Sequence, residues 1–118
     1  MNMDEGFWHA LDQLVSEHPL IIDRAKGSCH PRYPEIIYPL DYGYLEGTQA
    51  GDGTGIDVWV GSAPRRSVTA VVCTVDRLKR DAEVKLLLGC TAQEAQTILD
   101  FHNDDAGWQS AILYRRSG

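Results

Sequence analysis

Between residues 26 and 55 the chain is punctuated so densely by proline and glycine that no long regular element fits there. Pro31, Pro34 and Pro39 interrupt it, as do Gly27, Gly43, Gly47, Gly51, Gly53 and Gly55. Proline fixes φ and removes a backbone donor, and glycine carries an entropic cost in any helix or strand. The same stretch is rich in Tyr, Asp and Arg, and long loops in small chains are usually functional. The chemistry is therefore sought here, and the periodic segments on either side must supply the core.

Those segments are short. Asp4 can cap a helix over residues 4–17, with Trp8, Leu11, Leu14 and Val15 on one face and Asp12, Gln13 and Glu17 facing away. Pro19 ends it, and residues 20–22 read as a strand. Strand patterns follow at 56–60, 67–75 and 83–88, the second β-branched through Val68, Val71, Val72 and Val75. Thr91 caps a helix over 91–102 that turns Ala92, Ala95, Ile98 and Leu99 inward, and residues 111–114 add a last strand. With 118 residues and no repeat or linker, residues 1–118 are expected to form one small α+β domain.

Charge narrows the partners. Seventeen acidic side chains against 11 basic ones give a net charge of -6, which argues against nucleic acid held by phosphate neutralisation and permits a site for divalent cations. No run approaches the ~20 apolar residues of a membrane span, and the acidic start is unlike a signal peptide. The three cysteines, Cys29, Cys73 and Cys90, form no C-x-x-C pair, so the cytoplasm is the expected compartment. Cys29 beside His30 lacks a second ligand pair for zinc.

The densest signal is Tyr38-Pro39-Leu40-Asp41-Tyr42-Gly43-Tyr44, followed by Asp52-Gly53-Thr54-Gly55-Ile56-Asp57-Val58. This pattern resembles the soluble, Mg-dependent inorganic pyrophosphatases, which carry Y-P-x-N-Y-G and then an acidic D-G-D-P-x-D signature entering a strand. Ile22-Asp23 and Lys26-Gly27-Ser28 resemble the family's upstream turn, and Arg32-Tyr33 stands where a Lys-Tyr pair is usual. Asp76 and Asp81 have the separation of a further pair of metal-binding aspartates. The family's next lysine would fall at Glu83, with Lys85 close enough to replace it.

The resemblance implies a mostly β, OB-like barrel with one N-terminal and one C-terminal helix. It also implies metal-dependent hydrolysis of a phosphoanhydride, pyrophosphate to phosphate, in a homo-oligomer. On that reading Asp52, Asp57, Asp76 and Asp81 hold Mg²⁺, with Mn²⁺ as an alternative, since these hard cations take carboxylate, water and phosphate oxygens. Lys26, Arg32, Tyr38 and Lys85 bind phosphate, and Asp41, Tyr42 and Asp57 are the catalytic candidates. A small phosphate compound is the expected ligand, with neither nucleic acid nor membrane.

Several positions depart from the family's pattern. The middle acid of the signature is Thr54, which cannot act as a base, and the following proline is Gly55. Asp41 replaces the family's asparagine and is the substitute base that the sequence offers. The interval from Tyr33 to Tyr38 omits a hairpin that carries another arginine. Phe101-His102 stands in place of a Tyr-Lys pair, and His102 reads as a cation at a helix C-terminus in preference to a phosphate-site residue. These departures motivate a second reading, a module that binds a phosphate-containing ligand or a protein partner without turnover. The shortened loop motivates a third, a larger phosphate compound as substrate.

Overall fold

A computed structural model describes residues 3–51, 53–103 and 107–117. The elements in chain order are α1 (Met3–Glu17), β1 (Leu20–Arg24), β2 (Asp41–Leu45), β3 (Ile56–Val60), β4 (Val68–Asp76), β5 (Asp81–Leu88), α2 (Ala92–Asn103) and β6 (Gln109–Arg115). The sequence pattern anticipates all but β2, which lies inside the glycine- and proline-rich stretch. Thr91 and Glu94 close a reciprocal cap at the start of α2: the Glu94 N–H donates to Thr91 Oγ1 and the Thr91 N–H to Glu94 Oε1.

The strands form one six-stranded sheet in the order β1-β2-β3-β5-β4-β6. All neighbours are antiparallel except β3 and β5, which run parallel through Val58↔Leu86, Trp59↔Leu87 and Val60↔Leu88. β1 and β6 are the two ends of this order, and no pairing among the described residues closes the sheet into the expected barrel.

Alternation along each strand divides the side chains between two faces. One face buries Trp59, Ala70, Val72 and Leu87 with Tyr38 and Leu40 under α2, which contributes Ala95 and Ile98. The other buries Leu45, Val58, Val71, Leu86 and Leu88 under Trp8, Leu11, Leu14 and Val15 of α1. Asp12 does not face away as its place in the helical pattern suggests. Its carboxylate accepts the Val68 N–H at 2.9 Å and Arg116 Nη1 at 2.8 Å, tying α1 to the start of β4. No helix among the described residues is long and apolar enough to cross a membrane.

Candidate functional site

The register of the central strands sets the site. Tyr42 lies opposite Trp59, Trp59 beside Leu87, and Lys85 opposite Val72, so Tyr42, Trp59 and Lys85 share the α2 face of the sheet. Asp57 precedes Trp59 by one full pleat and Glu83 precedes Lys85 by one, which brings both carboxylates to the same face. The result is a four-residue cluster around a single ammonium. Lys85 Nζ donates to Asp57 Oδ2 at 2.7 Å, Tyr42 Oη at 2.9 Å and Glu83 Oε2 at 3.0 Å.

The cluster is largely withdrawn from water: the side chains of Lys85 and Glu83 are 9% and 5% exposed, and that of Asp57 is 23% exposed. Burial works against the Lys85 ammonium, but the Asp57 carboxylate and the hydrogen bonds to Asp57 and Tyr42 outweigh it and hold the amine protonated, above its ordinary range. Burial pushes the Tyr42 phenol upward by more than Lys85 lowers it, so Tyr42 is a neutral phenol at physiological pH.

A second chain of hydrogen bonds runs behind the cluster. The fully buried Trp59 donates its Nε1–H to His102 Nε2 at 3.1 Å. An indole can only donate, so this imidazole nitrogen carries no proton. His102 Nδ1 therefore holds the proton and donates to Gln109 Oε1 at 2.9 Å, while Gln109 Nε2 faces Asp76 Oδ2 at 3.5 Å. Burial, with Lys85 adding to it, lowers the His102 pKa to about 4 against the opposing pull of Gln109 and Asp57. The sequence reading of His102 as a charged helix-terminal residue is thus corrected: it is a buried, neutral member of the site wall.

Over this floor opens a cleft of about 1370 Å³. Tyr42, Trp59 and Lys85 form its base, the loop from His30 to Tyr38 one wall, and Phe101, His102 and Gln109 another, with Asp76, Leu78 and Lys79 of the β4–β5 hairpin closing the rim. Its rings touch in sequence, from His30 to Tyr38 (6.4 Å between centroids), Tyr38 to Tyr42 (5.7 Å) and Tyr42 to Trp59 (4.5 Å).

The sequence candidates divide into three groups. Tyr42, Asp57 and Lys85 come together directly. Tyr38 stands beside them as a core residue whose hydroxyl accepts from Arg24 Nη1 at 3.3 Å, while Arg32 and Asp76 line the cleft walls. Lys26 and Asp41 are not brought to the cluster. Strand alternation places Asp41 on the face opposite Tyr42, and Asp41 Oδ1 accepts the Lys26 N–H at 2.8 Å. Asp76 Oδ1 is engaged by the N–H groups of Leu78 and Lys79, and Asp81 sits 3.9 Å from Lys79 Nζ. Asp52 lies outside the described residues. Glu83 stands where the resemblance places a lysine, and its alternation with Lys85 along the strand is the sequence signal that puts the two side chains on one face.

Donor chemistry in this region suits Mg²⁺, since Asp57, Asp76, Asp81 and Glu83 offer only oxygens. Their arrangement does not match it: among the described residues no three His, Cys, Asp or Glu side chains converge as a metal cage, and Asp57 and Glu83 are already bridged by Lys85.

The architecture has relatives among solved structures. An inorganic pyrophosphatase from Neisseria gonorrhoeae superimposes with a TM-score of 0.66 at 16% identity, covering 81% of this chain and 80% of that one. In fold, this chain is similar to the inorganic pyrophosphatases. The enzyme from Helicobacter pylori gives a TM-score of 0.62 at 14% identity, covering 82% of this chain and 83% of that one. No protein-family model matches the sequence, and no curated protein matches it. The likeness lies in the fold, and the residues of the cleft must carry any argument about activity.

Proposed function

We propose that the cleft is a recognition site for a phosphate-containing ligand, on a pyrophosphatase-like fold. The observation behind this is the 2.7 Å contact between Lys85 Nζ and Asp57 Oδ2. A carboxylate entering an apolar strand needs a partner, and here the chain supplies its own cation. Thr54 provides no base, and Asp41, the substitute, serves the turn at Lys26. Arg32 at the wall and Lys79 at the rim offer positive charge to an anionic ligand.

Hydrolysis of pyrophosphate is the second reading, and the charge balance favours it. Two carboxylates, Asp57 and Glu83, surround one ammonium, an excess of negative charge that a divalent cation accompanying the phosphate would offset.

One experiment separates the two. Pyrophosphate, ADP and sugar phosphates are titrated calorimetrically into the full chain with and without Mg²⁺, and phosphate release from pyrophosphate is followed in parallel for wild type and Asp57→Asn. Binding without release supports the recognition site. Metal-dependent release that is lost in Asp57→Asn supports the hydrolase. No binding of pyrophosphate, ADP or sugar phosphates retires both.

A further inference from the structure

Within the reading of the cleft as a phosphate site, we infer that its ligand is a nucleoside diphosphate rather than bare pyrophosphate. Size comes first. A cleft of about 1370 Å³ exceeds the roughly 300–1,000 Å³ typical of sites that enclose organic ligands, and an inorganic anion would occupy a small part of it. Charge alone does not fill such a space. The space leaves room for a larger body attached to the phosphate.

The wall formed by residues 30–38 is built for a flat one. Tyr33 is 48% exposed and Ile37 52% exposed, and both line the cleft. The His30 and Tyr33 rings lie with centroids 5.2 Å apart, and His30 in turn stacks on the buried Tyr38 at an interplanar angle of 11°. This platform is fixed before any ligand arrives. His30 Nδ1 accepts the backbone N–H groups of Arg32 at 3.0 Å and Tyr33 at 3.3 Å, which pins the ring to its own loop. With Nδ1 engaged as acceptor, the ring is the neutral Nε2–H tautomer. Burial, with Arg24 and Arg32 beside it, lowers its pKa in the same sense.

Cation and platform are adjacent in sequence. Arg32 carries a planar fork suited to two phosphate oxygens at once, and Tyr33 presents a π-face that any base can stack on. Lys85, by contrast, is already surrounded by Asp57 and Glu83, so the ligand's charge is met at the cleft wall. A diphosphate beside Arg32 with its base against Tyr33 uses both groups.

The test is calorimetric titration of the full chain with ADP, UDP, adenosine and pyrophosphate, in Mg²⁺ and in its absence. ADP is expected to bind at least about ten-fold more tightly than pyrophosphate, the scale of one stacked base. Tyr33→Ala should remove about that factor for ADP and leave pyrophosphate unchanged, whereas Tyr33→Phe should retain it. Tyr33 is half exposed, and the phenylalanine variant controls for damage to the loop. Pyrophosphate binding as tightly as ADP, or Tyr33→Ala weakening both equally, would overturn the nucleotide assignment while leaving the phosphate site intact. Absence of binding by every phosphate compound would overturn both.

Discussion

Lys85 and Asp57 come from strands that run parallel to one another, and their side chains meet 2.7 Å apart beneath the cleft. Their separation in the chain hides the contact, and the shared sheet face creates it. Removing the ammonium takes the bridging cation from Asp57 and from Glu83, whose side chain is 5% exposed. Lys85→Met is therefore expected to cost about 3–5 kcal/mol in urea unfolding at pH 7. Adding Asp57→Asn and Glu83→Gln should recover much of the loss. A cost below about 1 kcal/mol would mean that the cluster behaves like an exposed pair.

Acid should loosen the wall of the site through His102. Its pKa is about 4 in the folded protein against 6.5 for the free side chain, so between those values the unfolded chain binds more protons. Stability is then complete above about pH 6.5 and falls as the pH drops toward 4, by roughly 3 kcal/mol at most from this group. Unfolding free energy measured across that interval should show the slope. His102→Gln should flatten it, and an unchanged slope in that variant would assign the effect elsewhere.

Gly43 carries the β1–β2 contact. A Cβ at this position would overlap the Ile21 carbonyl of the paired strand. Gly43→Ala is expected to cost about 3 kcal/mol, at the upper end of overpacking penalties. Hydrogen exchange should show the loss first at the amides of Leu20–Arg24. Retained protection there would show that β1 can shift without penalty.

Asp41→Asn should change little. An asparagine oxygen can still accept the Lys26 N–H, now at 2.8 Å, so stability should move by no more than about 0.5 kcal/mol. Affinity for phosphate ligands, and any phosphate release, should stay within about two-fold by the same reasoning on the absence of contact. A large loss of either would restore Asp41 to the site.

Much of the architecture is readable from periodicity, because β3, β4, β5 and both helices carry clear apolar patterns and α2 has its cap written in Thr91. The segment Asp41–Leu45 is not, since Tyr-Gly-Tyr just after Pro39 looks like a turn. That omission had a chemical consequence. Without a strand there, nothing showed that Asp41 and Tyr42 point to opposite faces, and Asp41 was available as a base. Tyr42, Asp57 and Lys85 are candidates through resemblance to a motif, and the sheet register brings them together. Glu83 and the neutral state of His102 depend on partners distant in sequence, Lys85 for one and Trp59 for the other, and local pattern cannot supply either.

The parallel joint between β3 and β5 also bears on how the molecule comes to exist. β1 to β3 form one run of sequential hairpins, and β4 and β5 start another that β6 extends. The β2–β3 and β4–β5 pairs can form through short-range contacts, whereas the joint brings together residues as far apart in the chain as Val58 and Leu86 and comes at greater entropic cost. Tyr42 and Asp57 belong to the first run, Glu83 and Lys85 to the second. The site is thus a seam, completed only by the docking of two halves of the chain. If the backbone were cut between β3 and β4, each fragment would hold half of the cluster, and the recovery of ligand binding on mixing would report the reassembly of the fold.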